Sequence, residues 1–139
     1  MKIWLKLVVI GFFVSMVVAC SADSTSNEEN ETILVTTTIA QIADIVENVG
    51  GDKVKVESLM GPGIDPHLYR ASQGDIRKLN DANIIFYNGL RLEGRMGEVL
   101  SQMAKDKPVV AVAETIPTNL LLEDEEEEGE PDPHVWFDI

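Results

Sequence analysis

Apolar and polar positions along the chain switch repeatedly between a period of two and a period near 3.6, and that switching sets the expected architecture. Residues 33–38 (ILVTTT) are a run of mostly β-branched residues, the composition of a buried strand. Ile39, Ile42, Ile45, Val46 and Val49 then recur at helical spacing, and Gly50-Gly51 supplies a stop. Over residues 53–60, Val54 and Val56 alternate with polar neighbours, with Leu59 just beyond, which predicts a second strand running into the loop GPGIDP. Ser72 and Asp75 have the spacing of a capping box, so a helix is expected from Ser72 with Ile76 and Leu79 facing inward. Residues 83–87 (NIIFY) predict a third strand, closed by Asn88-Gly89. Leu92, Met96, Val99, Leu100 and Met103 form the stripe of a further helix, and PVVAV at 108–112 a fourth strand. Strands alternating with helices of this length imply an α/β fold: a mostly parallel sheet with helices on both faces.

The N-terminal segment stands outside this rhythm. Lys2 and Lys6 make a positive start, and residues 7–19 are almost wholly apolar. That stretch is shorter than the roughly 20 residues a membrane helix needs, and it has the length and flanks of a secretory signal peptide. Residues 17–20 (VVAC) resemble a bacterial lipobox, in which the cysteine thiol takes a diacylglycerol and becomes the first mature residue. Cys20 is therefore the expected lipidation site. It is also the single cysteine of the chain, which excludes disulfides within the chain and a thiolate metal site. Residues 21–31 (SADSTSNEENE) are polar without periodicity and read as a flexible tether. The expected organisation is a signal peptide at 1–19, a lipidated tether at 20–32, and a folded unit over 33–139. That unit would lie on the extracytoplasmic face of the cell membrane, in the periplasm of a Gram-negative cell.

Charge narrows the partners. With 24 acidic and 11 basic residues the formal net charge is −13, which argues against nucleic acid and favours attraction of cations. Much of it sits in one run, EDEEEEGE at 123–130, which breaks the strand–helix order and is expected to be a solvated loop. A salt-screened role in gathering cations is the second reading of that run.

The candidate chemistry lies in the two histidines, each in the same tripeptide: Asp65-Pro66-His67 and Asp132-Pro133-His134. Proline fixes its own φ and pushes the preceding residue to an extended shape, so each histidine is presented on a stiff loop. His67 follows a strand and a Gly-Pro-Gly turn, and loops at the carboxyl ends of strands are where open α/β sheets bind ligands. Neutral imidazole is the commonest ligand for zinc and related ions. The aspartate two residues back has two open roles, orienting the ring or capping the following helix. Two histidines do not complete a site, since closed sites usually have four protein ligands. No HExxH spacing or cysteine cluster supplies the rest. The other ligands must come from sequence beyond this chain, from a partner, or from carboxylates that spacing does not single out.

At these residues the chain resembles the metal-binding lipoproteins of ABC importers for manganese and zinc, most of all the treponemal zinc/manganese-binding branch. The matching stretches are TTTIAQIADIVENVGG, LMGPGIDPHLYRASQGDIRKL, IIFYNGLRLEGRMGEVL and DPHVWFDI, in order over most of residues 33–139. The resemblance implies two α/β lobes joined by a long helix, with one transported metal ion, Mn2+ or Zn2+, in the cleft between them. It implies that His67 and His134 are the two metal ligands of the N-terminal lobe. The other two, a histidine or glutamate and an aspartate, would belong to a C-terminal lobe. Zinc-specific members often carry a histidine-rich acidic loop before the second motif; here that place is acidic without histidine, which leans toward manganese or mixed use. Val135, Trp136, Phe137 and Ile139 open an apolar segment with nothing after it to pack against, so the chain is expected to be the N-terminal part of a longer protein.

The expected role is a monomeric binding protein, not an enzyme, that delivers the ion to an ABC permease. Binding should weaken below about pH 6, because protonated imidazole cannot ligate. Two other readings use the same residues. An extracytoplasmic metalloenzyme would need a general base near the ion, for which no motif is present. A surface adhesin with incidental histidines would bind its host ligand regardless of chelators.

Overall fold

The β-branched run that opens the folded region forms strand β1, Ile33–Ile39, in the middle of a four-stranded parallel sheet. The computed structural model describes residues 32–125 and 127–137, so the expected signal peptide, Cys20 and all but the last residue of the expected tether lie outside the described residues. The remaining strands are β2 (Val54–Met60), β3 (Ile84–Tyr87) and β4 (Val109–Ala111), in the spatial order β2-β1-β3-β4. Val35 pairs with Val56 on one side and with Ile84 on the other, and Ile85 pairs with Val109. From Val35 to Ile39 every residue of β1 is buried, without alternation. A strand covered on both faces is what a parallel α/β sheet requires.

Three helices connect these strands: α1 (Ala40–Gly50), α2 (Gln73–Asp81) and α3 (Gly97–Met103). The core gathers Ile39, Ile42, Leu59, Met60, Leu79, Ile85, Leu92, Met96 and Leu100. Among the described residues no helix is long and apolar enough to cross a membrane.

The predicted stripe of α1 is partly corrected. Ile39 ends β1, and the buried face of the helix is Ile42 and Ala43, with Val46 packed against the core. Ile45 lies roughly 100° round from the middle of that face and is 59% exposed, and Val49 in the last turn is 84% exposed. Both stop glycines have a structural reason. A Cβ at Gly50 would collide with the Val54 side chain, and Gly51 adopts φ +54.

The capping box of α2 forms as expected. Ser72 Oγ accepts the Asp75 backbone N–H, and the Asp75 side chain accepts the Ser72 N–H. At the other end, Lys107 Nζ donates to the carbonyls of Leu79, Asn80 and Ala82 at 2.9, 2.5 and 2.7 Å. A cation there satisfies carbonyls the helix leaves over and complements its dipole.

The helix expected from Leu92 begins only at Gly97. Gly89, Leu90 and Arg91 all have positive φ (84, 48 and 65°), so the chain leaves β3 through a left-handed run. It then closes in three-residue turns, with Leu92 N–H donating to Gly89 O and Met96 N–H to Glu93 O. Leu92 and Met96 reach the core from these turns rather than from a helix. The acidic run is also more ordered than expected. Glu123 forms an antiparallel bridge with Pro131, and Asp124 N–H and Asp132 N–H donate to the carbonyls of Glu130 and Leu122. It is a hairpin that ends directly on the second Asp-Pro-His.

Candidate metal site at the carboxyl edge of the sheet

In the order β2-β1-β3-β4 the connection after β1 runs to one side and that after β3 to the other, making the crevice between the carboxyl ends of β1 and β3 the switch point where open α/β sheets place ligands. His67 reaches this edge on the loop after β2. His134 arrives from the hairpin, 67 residues on, and the two Nε2 atoms stand 3.5 Å apart. The ring centroids are 5.5 Å apart with planes inclined by 54°, so the rings converge on a point instead of stacking. Two nitrogens bound at about 2.05 Å to one tetrahedral zinc would be roughly 3.3 Å apart. The observed spacing suits a single shared ion.

Both tripeptides make the same local turn. Asp65 Oδ1 accepts the His67 backbone N–H, and Asp132 Oδ1 accepts the His134 backbone N–H, each at 2.9 Å. Of the two roles open to the aspartate, orienting the ring is seen in the second copy alone, while Asp65 holds only its turn and the helix that follows is capped by Ser72. Asp132 Oδ1 also lies 2.7 Å from His134 Nδ1. A proton on Nδ1 held there leaves the Nε2 lone pair pointing at His67, the arrangement by which a carboxylate fixes a ligating imidazole. Those hydrogen bonds from the His134 backbone and ring hold the Asp132 carboxyl below the usual carboxylate range. Trp136 packs edge-on against the His134 ring at 5.4 Å.

Each loop also has a buried carboxylate behind it. For the His67 loop it is Asp75, whose Oδ2 accepts from the Tyr69 hydroxyl (2.8 Å), the Ser72 N–H (2.8 Å) and the Ser72 hydroxyl (2.7 Å). Burial pushes the Asp75 carboxyl up, but the hydrogen bonds from Ser72 and Tyr69 prevail and it sits below its ordinary value. Burial and the neighbouring Asp75 push the Tyr69 hydroxyl up to about 12. At the switch point it is Glu93, which accepts from the Thr38 hydroxyl (2.6 Å) at the end of β1 and from the N–H groups of Asn88 (2.7 Å) and Gly89 (3.2 Å) after β3. The buried Asn88 amide then donates to Pro133 O at 2.9 Å.

Beside His67 opens a cleft of about 790 Å³, walled by Tyr87, Leu90, Arg91 and Glu114 on the sheet side and by Glu127 and Glu130 of the hairpin. Arg91 bridges these walls, pairing with Glu127 at 3.0 Å and Glu130 at 3.1 Å. Among the described residues no group of three or more His, Cys, Asp or Glu is placed to hold a metal, so the histidine pair is an incomplete ligand set.

Sequence reasoning singled out His67 and His134, and the structure brings them together. It read Asn88-Gly89 only as a strand stop and passed over Thr38, Glu93 and Arg91. One signal was present for Glu93: a lone acid between Leu92 and Met96, both spaced as core positions. Its partner Thr38, 55 residues earlier, leaves no mark in local spacing.

The family described as zinc-uptake complex component A, periplasmic (ZnuA), matches residues 35–139. The chain is 52% identical over 121 residues to the manganese-binding lipoprotein MntA of Bacillus subtilis, covering 86% of this chain and 39% of that protein. It is 54% identical over 106 residues to the zinc-binding protein TroA of Treponema pallidum, covering 76% of this chain and 34% of that protein. The solved structure of the periplasmic zinc-binding protein TroA superposes with a TM-score of 0.72 at 53% identity, over 77% of this chain and 38% of that one. The chain thus spans less than two fifths of the length of these curated relatives.

Proposed function

The chain belongs to the family of zinc-uptake complex component A proteins, and from that premise we propose that the whole protein captures a divalent transition-metal ion outside the cell and delivers it to the permease of an ABC importer. The ion is Mn2+ or Zn2+, in keeping with the names of the two relatives. His67 and His134 are its ligands from this part of the protein, with the rest supplied by residues outside this chain. The observation that carries the reading is the convergence of the two Nε2 atoms to 3.5 Å at the switch point of the sheet. No covalent bond is made or broken in this role; the protein coordinates the ion, holds it and releases it. Cys20 carries the lipid that keeps the folded unit at the extracytoplasmic face of the membrane.

Titration of the full-length protein with MnCl2 and ZnCl2 against a competing chelator tests the ligand assignment. Four-ligand zinc sites yield about 10–16 kcal/mol in all, so each ligand is worth roughly 3 kcal/mol. His67→Ala and His134→Ala should therefore each weaken binding roughly a hundredfold. Unchanged affinity in both variants removes the pair from the site. Cys20→Ala should release the protein from membranes into the soluble fraction, and continued membrane retention would refute the lipid anchor.

A further inference from the structure

Glu93 is only 5% exposed, and among the described residues no ion pair offsets its burial. A buried carboxylate is tolerated when hydrogen bonds replace its water, and Glu93 takes three. The identity of the donors gives it a role beyond packing. Thr38 belongs to the end of β1, while Asn88 and Gly89 follow β3, so one side chain ties together the two strand ends that border the crevice. With its backbone fixed by Glu93, Asn88 directs its side-chain amide to Pro133 O, the carbonyl directly before His134. Glu93 lines the cleft beside His67, yet both its oxygens are already engaged, which makes it a poor candidate for a ligand.

We infer that Glu93 is a positioning residue for the metal site, acting through Asn88 on the backbone that presents His134 without touching the ion. This deepens, and rests on, the metal-binding reading above. Glutamine at this position keeps the size but turns one acceptor into a donor. At least one of Thr38, Asn88 and Gly89 then faces an N–H where it needs an oxygen. Partners that orient a ligand from behind typically contribute tenfold to a hundredfold in metal affinity.

A mutant cycle in the full-length protein separates positioning from general loosening. Glu93→Gln and Asn88→Ala are each made in the wild-type, His134→Ala and His67→Ala backgrounds. Mn2+ and Zn2+ affinities are read by competitive titration, and urea unfolding of each apo form checks the fold. The expected result is a tenfold to hundredfold loss in the wild-type and His67→Ala backgrounds, but less than about twofold with His134 already removed. Equal losses in all three backgrounds, or none in the wild type, overturn the positioning role while leaving the metal-binding reading intact. If Glu93→Gln does not fold, Asn88→Ala decides alone, since it leaves the Glu93 carboxylate and its donors in place and removes the tie to Pro133 together with one local bond to Gly89 O. A wild-type protein that binds neither ion refutes the metal-binding reading and this inference with it.

Discussion

The two Asp-Pro-His loops share a tripeptide and a backbone turn, but they hold their histidines by different means. In the first copy Asp65 reaches only the His67 backbone N–H, and among the described residues the His67 ring has a hydrogen-bond distance to His134 Nε2 alone. The stiffness of that loop comes from further along, where Asp75 gathers Tyr69 and Ser72 onto the start of α2. In the second copy the ring itself is held, by Asp132 at Nδ1 and by the edge contact with Trp136. The backbone before it is pinned by Asn88. One imidazole is thus fixed in place, and the other is carried on a fixed loop with its ring held only by its neighbour. In the proposed metal-binding role such a pair would divide two demands, one member setting the geometry and the other following it.

The sharpest way to break the comparison is to remove the two aspartates separately. Asp132→Ala frees the His134 ring and should weaken Mn2+ or Zn2+ binding by roughly tenfold to a hundredfold. Asp65→Ala removes one exposed backbone hydrogen bond and should cost only about threefold, in line with a net hydrogen bond of about 0.5–1 kcal/mol. Equal losses in the same titration would mean that the two copies work alike.

Asp75 offers the next largest effect, on stability more than on affinity. Asp75→Ala leaves the Tyr69 hydroxyl and both Ser72 donors without their acceptor and should lower the unfolding free energy by about 2 kcal/mol at pH 7. The dependence on pH has a defined sign. The Asp75 carboxyl sits below its ordinary value in the native state, so its contribution is present above the unfolded pKa of about 3.9 and is lost as pH falls through the native value. The gap between wild type and Asp75→Ala in urea unfolding should therefore narrow on going from pH 7 to pH 3. The Tyr69 hydroxyl, raised to about 12, has the opposite course: its contribution holds below pH 10 and is lost as pH rises through 12. A gap that widened in acid would contradict the assignment of Asp75 as a charged acceptor.

Lys107→Met gives a smaller change that should leave the site alone. Its ammonium caps the carboxyl end of α2, away from the His67 loop that enters the other end. A loss of about 1 kcal/mol in unfolding free energy with unchanged metal affinity is expected. An affinity loss comparable to that of Asp132→Ala would show that α2 transmits strain to the site.

The uneven legibility of the molecule has the same origin as this contrast. β1, β2 and the capping box of α2 could be read because each is set by neighbours within a few residues: β-branched runs, alternation, and a serine three positions before an aspartate. The histidine pair could be read because the tripeptide occurs twice. The start of α3 was misjudged because apolar residues four apart suit a helix, whereas Leu92 and Met96 reach the core through tight turns after a left-handed run that no glycine at 90 or 91 announces. Ile45 and Val49 share the helical spacing of the buried positions yet are exposed, because the width of the buried face is set by what packs on it, which period does not encode. The charge run is solvated as expected, but its hairpin form is not legible, because that depends on a bridge to Pro131 and on Arg91, about 35 residues earlier in the chain.

Arg91→Gly should produce the smallest effect, and its dependence on salt says what the hairpin contributes to holding the second histidine. Arg91 adopts φ 65, a left-handed conformation that strains a residue bearing a Cβ. Glycine relieves about 1 kcal/mol there, after allowing for its greater freedom in the unfolded chain. The same substitution deletes the pairs with Glu127 and Glu130, whose side chains are all substantially exposed, and pairs of that kind are worth roughly 0–1 kcal/mol together. At low ionic strength the two terms nearly cancel, and urea unfolding should show little change. In 1 M NaCl the Debye length falls to about 3 Å, the pairs are screened in the wild type, and the strain remains. The variant should then be the more stable by roughly 0.5–1 kcal/mol. Its metal affinity at low salt should fall a few-fold at most, because Asn88 and Asp132 still hold the His134 loop. A tenfold loss would move the hairpin from a cover over the cleft to a principal support of His134, and the two loops would then differ still more than their contacts indicate.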